Sequence, residues 1–301
     1  MSAPVGLLQE PLEQTAAAPL RRRQGLLARM LSTWPGKLGL GGTVLVLLIA
    51  FVGPLIAGSP THESGIPFTA PNSADIFGTD LLGRSVLSRV LHGGFRLILT
   101  AALSTLVAYA IGTSLGLLAG YRRGLTDEIT MRVLDVLLSF PPILLVLILA
   151  AGVGQGLVTI FIGTILVNVP GAARVIRSAT QELVGRPYIE AAVLRGERTA
   201  AILRREILPN ILGSVLADAG PRLSGTIILI AGLNYLSIGV NPPTPDWGAM
   251  IFENRSGLSL QPWAVALPAL LIVLLVISIN LMADAYVRGI GRSGIVEGQK
   301  P

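Results

Sequence analysis

The sequence RPYIEAAVLRGERTAAILRREILPN, which runs from Arg186 to Asn210, is charged and rich in helix-forming residues, although long apolar stretches flank it. Pro187 suits the first turn of a helix, because its missing N–H would have no intrahelical partner there. Gly196 suits the left-handed residue that ends a helix, and Pro209 is expected to stop a second one. Residues 186–210 therefore predict two short helices joined at a glycine, a unit termed the charged hairpin.

The composition of the whole chain indicates a membrane protein. Of the 301 residues, 51% are hydrophobic and 13% are charged, whereas soluble domains carry about 25% charged residues. A helix needs at least about 17 predominantly apolar residues to cross a bilayer. Six segments approach or exceed that length, namely 39–58, 97–120, 133–152, 157–173, 212–239 and 263–286. We therefore expect an all-α polytopic membrane protein with about six transmembrane helices, the third of them interrupted by Pro141-Pro142.

The positions of the basic residues predict the orientation, because Lys and Arg gather on the cytoplasmic side of membrane proteins. With the N-terminus inside, all of the 23 basic residues except Arg84, Arg89, Arg96 and Arg255 fall on the inner side. We therefore expect both termini in the cytoplasm. The formal net charge of +6 then reflects this bias, and no nucleic-acid partner is expected.

This topology divides the chain into a membrane domain and two tails. Residues 1–38 and 291–301 are expected to form cytoplasmic tails, and residues 39–290 the transmembrane domain. Residues 59–96 and 240–262 are expected to form extracytoplasmic loops, in which proline and glycine favour turns over continuous helix. The charged hairpin follows the fourth span and precedes the fifth, so it is expected in the cytoplasm.

The residue inventory argues against chemistry within this chain. Cysteine is absent and His62 and His92 are the only histidines, so we expect no metal site. A phosphate-binding loop needs Gly-Lys followed by Ser or Thr, with a second glycine upstream. Neither Lys37 nor Lys300 stands in such a context. We expect no catalytic residue and no bound cofactor, so energy for any transport must come from a partner.

The charged hairpin offers a candidate docking surface. Ala191 and Ala192 keep one face shallow, so that another surface can approach closely, and Glu190 offers a carboxylate to a partner's donors. The alternative is an amphipathic helix that lies on anionic lipid headgroups. The local pattern alone leaves both interpretations open.

A family signature runs through this unit. Glu190-Ala191-Ala192, followed by Gly196 and then by Ile207-Leu208-Pro209, resembles the EAA signature of ABC importer permeases. In that family the loop forms coupling helices that sit in a groove on each ATPase subunit. The resemblance implies that the ATPase-coupling residues are Glu190, Ala191, Ala192, Gly196, Ile207, Leu208 and Pro209. Glu197 departs from the family, which commonly has a small residue after the hairpin glycine.

Three other stretches resemble one subfamily. FGTDLLGRSVLSR (Phe77–Arg89), the block from Gly116 to Leu145 and LSIGVNPPTPDWGAM (Leu236–Met250) are similar to the C-type permease subunit of dipeptide, oligopeptide and nickel importers. The likeness covers roughly residues 38–290, although Ser85 stands where the family commonly has Asp. It implies the type I ABC importer permease fold in the bacterial cytoplasmic membrane. The implied partners are a B-type permease subunit that completes a heterodimer, ABC ATPase subunits that bind ATP and Mg, an extracytoplasmic substrate-binding protein and membrane lipid.

The implied function is that of a permease subunit in an ATP-driven importer. It would form half of the translocation pathway for di- or oligopeptides and couple closure of the ATPases to alternating access. The same machinery could instead import nickel chelates or other small solutes. A stand-alone secondary transporter would carry mid-membrane charges and inverted repeats, which the sequence does not display. A non-transporting membrane scaffold is the remaining alternative.

Four residues outside the spans are candidates for the outer gate and for docking of the binding protein, namely Asp80, Arg84, Arg89 and Trp247. For Asp80 and Arg84 the alternative is a local pair four residues apart on a helix. For Trp247 the alternative is an anchor at the membrane interface.

Three oppositely charged pairs lie near the inner ends of spans, namely Arg132 with Asp135, Asp218 with Arg222, and Asp284 with Arg288. Their spacing of three or four residues places the members of each pair on one helix face. We expect them to anchor helix ends, with a gating role as the alternative.

Overall fold

The computed structural model describes residues 33–297, and side chains as far as Gly289, so the predicted tails lie largely outside it. The described residues contain no β-strand beyond isolated bridges. The helices are α1 (Trp34–Ile56), α2 (Val86–Arg122), α3 (Gly124–Leu138), α4 (Pro142–Val153), α5 (Leu157–Val184), α6 (Pro187–Leu194), α7 (Thr199–Tyr235), α8 (Trp247–Asn254) and α9 (Trp263–Glu297). A short 3₁₀ turn, Arg255–Gly257, follows α8.

Five of these helices, α1, α2, α5, α7 and α9, are each long and apolar enough to cross a membrane. The pair α3 and α4 makes a sixth apolar segment, but the two helices are bent by 85° relative to each other. The prediction of an all-α polytopic protein with about six spans is therefore confirmed. Because α4 has only 12 residues, it measures about 18 Å and cannot alone cross about 30 Å of hydrocarbon.

The interruption predicted at Pro141-Pro142 is a sharp break. α3 ends at Leu138, and α4 restarts with Pro142 at its first position. Two consecutive prolines lack the N–H groups that would continue the helical ladder, and their rings clash with the preceding turn. The predicted third span, 133–152, is consequently two helix segments at a steep angle rather than one rod.

Both predicted outer loops are partly helical. The loop predicted over 59–96 ends at Ser85, because residues 86–96 already form the first turns of α2. The loop predicted over 240–262 contains α8. Hydropathy identifies only the apolar part of a helix, so the polar first turns of α2 are predicted as part of a loop.

The largest helix–helix interface joins α2 and α5 through a line of glycines. Gly112, Gly116 and Gly120 are spaced four apart on α2 and face α5. A Cβ at Gly116 would lie 2.6 Å from the carbonyl oxygen of Ala173, and one at Gly120 would lie 2.8 Å from that of Arg177. Small residues at this spacing let two membrane helices approach closely, so backbone meets backbone along this seam.

Helix α2 defines the two ends of the molecule. Its 37 residues measure about 55 Å. At its N-terminal end, called the loop end, Trp247 of α8 lies in the main apolar core with residues of α1, α2, α7 and α9. At its C-terminal end, called the hairpin end, the charged hairpin packs into a second core. The two groups of predicted site residues therefore lie at opposite ends of the bundle.

Candidate functional site

The charged hairpin begins with α6, which ends in the predicted glycine motif. Pro187 occupies its first turn. Gly196 has φ of +75°, its N–H donates to the Val193 carbonyl at 2.9 Å, and the N–H of Glu197 donates to the Ala192 carbonyl at 3.2 Å. This pair of bonds is the Schellman arrangement, which satisfies the free carbonyls of a helix end. The prediction that a left-handed glycine ends this helix is confirmed.

The prediction that Pro209 stops the second helix is wrong. α7 runs from Thr199 through Pro209 to Tyr235 as one continuous helix. Its residues Ile202–Ile207 form a π-helical turn, and the N–H of Leu208 bonds to the carbonyl of Leu203, five residues back. Such a turn carries an extra residue, which lets the backbone accommodate a proline that has no N–H and needs extra room. The second helix of the hairpin and a membrane span are therefore one continuous helix.

The structure divides the signature residues between surface and interior. Glu190 and Pro209 are exposed, Ala191 and Leu208 are half-buried, and Ala192 and Ile207 are fully buried. Ala192 therefore cannot offer surface to a partner, which corrects the prediction that both alanines form the docking face. Its small side chain instead lets α6 seat closely on the rest of the chain.

That seat is an apolar core at the hairpin end. The hairpin contributes Ile189, Ala192, Ile202, Leu203 and Ile207, the next turn of α7 adds Ile211, and α2 and α5 contribute Tyr109, Leu117, Ala172 and Ile176. Burying side chains of this size stabilises such a contact by about 1.5–3 kcal/mol each. Displacement of the hairpin would therefore be transmitted to α2 and α5 as well as to α7.

The exposed side of the hairpin combines an apolar groove with positive charge. A cavity of about 530 Å³ lies beside α6, lined by Tyr121, Val184, Ile189, Glu190, Val193 and Leu194. Glu197, the departure from the family, is paired with Arg195 at 2.6 Å. Four other arginines of the hairpin are exposed and make no ion pair among the described residues, namely Arg186, Arg198, Arg204 and Arg205. A partner with an acidic, partly apolar surface would complement this side.

Ion pairs attach α3 to α5 near the same end. Asp135 pairs with Arg174, and Asp127 pairs with Arg177 through two hydrogen bonds. The predicted pair of Arg132 with Asp135 is wrong. Arg132 instead pairs with Glu128 one turn earlier at 3.1 Å, because α5 supplies a closer cation to Asp135.

The predicted pair of Asp218 and Arg222 is confirmed at 2.5 Å, with both side chains half-buried within α7. The sequence did not reveal its third member. The Tyr109 hydroxyl of α2 donates to Asp218 at 2.6 Å, and the Arg222 guanidinium lies against Gly171 of α5. The group therefore joins α7 to α2 and α5. The pair of Asp284 and Arg288 is longer, at 4.0 Å, and exposed.

At the loop end, Asp80, Arg84 and Arg89 meet in a buried ion cluster with Glu253 of α8. Asp80 lies 2.7 Å from Arg84 and 2.5 Å from Arg89. Glu253 lies 3.1 Å from Arg84 and 2.7 Å from Arg89. Burial would raise the pKa of Asp80, but hydrogen bonds from Arg84 and Arg89 hold it below its usual value. The cluster balances two negative charges against two positive ones.

This cluster corrects two predictions. Asp80 lies in the turn before α2, so its pairing with Arg84 is not a pair on a helix. Asp80, Arg84 and Arg89 are buried, so none of the three presents a free surface to a binding protein. They hold the loop that precedes α2 against α8. The sequence could not have revealed Glu253, because no spacing links it to the arginines.

Trp247 is also buried, with no exposed surface. Its Nε1 donates to the carbonyl of Val90 at 2.8 Å, and its ring packs against Gly93 and Gly94 of α2. The prediction of an interfacial anchor or exposed docking residue is therefore wrong. The glycine pair in HGGFR was the sequence signal for a large ring lying on α2.

Asp246 precedes Trp247 and caps α8. Its Oδ1 accepts from the N–H of Gly248 at 2.9 Å and of Ala249 at 3.2 Å, as N-cap residues do. Its Oδ2 is buried without a hydrogen-bond partner. Burial raises the pKa of Asp246 to about 6. Among the described residues, no group of three or more His, Cys, Asp or Glu side chains could hold a metal ion.

A protein-family comparison matches most of this architecture. The family described as "Binding-protein-dependent transport system inner membrane component" matches residues 112–292. That region includes the charged hairpin, α3–α8 and most of α9.

Similar proteins share the sequence over most of the chain. This chain is 40% identical over 214 residues to the glutathione transport system permease protein GsiD of Pectobacterium atrosepticum, and the match covers 71% of each chain. It is 36% identical over 257 residues to the di/tripeptide transport system permease protein DppC of Pseudomonas aeruginosa, covering 81% of this chain and 84% of the relative. An inward-facing structure of the MetNI methionine ABC transporter superposes with a TM-score of 0.54 at 19% identity, over 66% of this chain and 95% of that one.

Proposed function

Since this chain belongs to the family of binding-protein-dependent transport system inner membrane components, we propose that it forms one half of the translocation pathway of an ATP-driven peptide importer. Family membership makes it a multi-pass permease of the ABC importers, in the peptide and nickel group. Peptides are the favoured cargo because similar relatives are named for glutathione, itself a tripeptide, and for di- and tripeptides. Nickel chelates and other small solutes are the less favoured alternative.

The continuity of α7 carries the proposal that the charged hairpin couples this chain to an ATPase. One helix extends from Thr199 in the hairpin to Tyr235 and is long and apolar enough to cross a membrane. A force applied to the hairpin therefore moves a membrane span without an intervening flexible joint. Glu190, the groove beside α6 and the unpaired arginines offer the surface on which an ATPase subunit would dock.

The family implies ATPase and substrate-binding protein partners. We propose that the ATPase subunits bind ATP and Mg, and that a B-type permease subunit completes the pathway as a heterodimer in the bacterial cytoplasmic membrane. This chain would contribute no catalytic group, because its sequence contains no phosphate-binding loop. The charged hairpin would then face the cytoplasm, and the loop end would face the binding protein.

The proposed mechanism is alternating access driven through α7. When the ATPases close on ATP, they displace the hairpin and α7 with it. The interfaces that must adjust include the contact of Tyr109 with Asp218 and the contact of Arg222 with Gly171. Closure shifts the equilibrium only by the difference in affinity that the ATPases have for the two states. ATP binding supplies that difference, and hydrolysis resets it.

Charge reversal at Glu190 tests the coupling. The substitution Glu190→Lys changes an exposed hairpin residue, and Glu182→Lys changes an exposed residue of α5 as the matched control. The readouts are co-purification of the ATPase subunits and uptake of a radiolabelled dipeptide into proteoliposomes. We expect Glu190→Lys alone to lose both, whereas unchanged uptake would refute the coupling role.

The cargo is tested separately. Mass spectrometry of the molecules that co-purify with the cognate binding protein is expected to find short peptides. A nickel chelate in that fraction would refute the peptide assignment and leave the coupling role intact.

A further inference from the structure

A second cavity, of about 490 Å³, opens at the loop end, between α1, α2 and the loop that precedes α8. Phe51 of α1 and His92, Phe95 and Arg96 of α2 line it, and Pro245 of the loop closes one side. None of these residues belongs to the ion cluster or to the charged hairpin. A cavity of this size is within the range of small-molecule sites, about 300–1,000 Å³.

Arg96 is the distinctive residue of this cavity. Of the four arginines at the loop end, Arg84 and Arg89 belong to the ion cluster. Arg255 stacks on an aromatic ring, 3.8 Å from its centroid. Arg96 is exposed, and among the described residues it makes no ion pair or hydrogen bond. Its charge lowers the pKa of the buried Asp246 by electrostatic attraction without a hydrogen bond. The guanidinium is therefore available to an anion.

The other wall of the cavity is apolar and continues onto the lipid-facing surface. Phe51 and Phe95 meet edge to face with ring centroids 5.0 Å apart. Each keeps about two-fifths of its surface exposed. Beyond Phe51, Leu55 and Ile56 are 82% and 78% exposed, and only 22% of the apolar stretch of α1 is buried. A molecule held at Arg96 could therefore extend an acyl chain along α1 into the bilayer.

We propose that this cavity binds an anionic phospholipid, with its phosphate at Arg96 and an acyl chain against Phe51 and Phe95. Arg96 immediately precedes the apolar stretch of α2, which begins at Leu97. In a bilayer its guanidinium would reach the lipid phosphates, as cationic side chains at the ends of membrane helices do. A net-negative lipid is favoured because Arg96 is the one Asp, Glu, Lys or Arg side chain among the residues that line the cavity. The site does not depend on which solute is transported.

The test uses the transporter purified with its partner subunits. The complex is equilibrated with equal amounts of palmitoyl-oleoyl phosphatidylglycerol and the corresponding phosphatidylcholine, and retained lipid is counted by native mass spectrometry. We expect preferential retention of phosphatidylglycerol. Arg96→Gln should lower retention about tenfold, as loss of a charge-assisted contact does. The matched control, Arg255→Gln, removes a cation from the same end and should retain lipid as the unsubstituted protein does.

A second variant separates the acyl chain from the phosphate. Phe95→Ala leaves the guanidinium in place and should still weaken retention of phosphatidylglycerol, whereas a site for bare phosphate would be unaffected. Equal retention by Arg96→Gln and the unsubstituted protein would overturn the proposal. So would displacement of the lipid by inorganic phosphate alone. A photo-crosslinker at Phe95 should label lipid, and a polypeptide adduct in its place would assign the cavity to a protein partner instead.

Discussion

Replacement of Asp246 by Asn should stabilise the protein at neutral pH. Oδ1 of Asp246 caps α8 through the N–H groups of Gly248 and Ala249, and Asn caps helices equally well. Oδ2 is buried without a partner, as is Oδ1 of the adjoining Asn234. The substitution therefore keeps the cap and removes a buried charge.

The magnitude follows from the pKa of Asp246. Burial raises it from 3.8 to about 6, against the lowering effects of the backbone hydrogen bonds, Asn234 and the charge of Arg96. Because each tenfold change in acidity corresponds to about 1.4 kcal/mol, ionisation of Asp246 costs the folded state at most about 3 kcal/mol. The unfolded chain releases this proton near pH 3.8 and the folded chain near pH 6. The contribution of Asp246 to stability is thus greatest below pH 3.8 and falls as the pH rises to 6.

The assay is thermal unfolding of the purified complex between pH 4 and pH 8. We expect Asp246→Asn to unfold at a higher temperature than the unsubstituted protein above pH 6, with the difference shrinking toward pH 4. The control is Asp284→Asn, whose side chain is 69% exposed and whose loss should leave the pH dependence unchanged. A variant that is less stable at pH 7.5, or whose advantage is the same at every pH, would refute the reasoning.

Two further substitutions test the packing. Gly116→Leu should destabilise the complex by about 1–3 kcal/mol, as overpacking does, because a Cβ there would lie 2.6 Å from the carbonyl oxygen of Ala173. The control is Gly152→Leu, because Gly152 has open space around it. A similar melting temperature for both variants would contradict the close-packed seam. Glu253→Gln should cost about 3–5 kcal/mol, because it leaves Arg89 buried with one fewer negative partner. Unchanged thermal unfolding of that variant would show that the ion cluster is not retained in solution.

The sequence predicts this protein well where a local backbone rule decides the outcome. Gly196 ends α6 because a left-handed conformation favours glycine at any such position, and Pro141-Pro142 breaks a helix because both lack an N–H. Pro209 shows the limit of such rules. The helix continues through it because a π-helical turn precedes it.

The sites themselves were predicted less completely than the backbone. The signature around Ala192 identified the hairpin, but the direction in which each side chain points depends on the helices beneath it. Trp247 and Arg89 are of residue types that are common at the surface near a membrane boundary, but both are fully buried. Their partners, Gly93 and Glu253, are distant in the sequence. Local pattern carries no information about contacts of that range.

The most direct test of the coupling role is site-specific photo-crosslinking from the end of α6. Leu194 is 88% exposed there, and a benzoyl-phenylalanine at this position reports whatever surface lies within reach. In the assembled transporter, the account predicts an adduct between this chain and an ATPase subunit, and none from the same probe at Ile56, which is 78% exposed on α1 toward the loop end. Labelling of lipid alone from Leu194 would contradict it and would identify the charged hairpin as a membrane-surface helix.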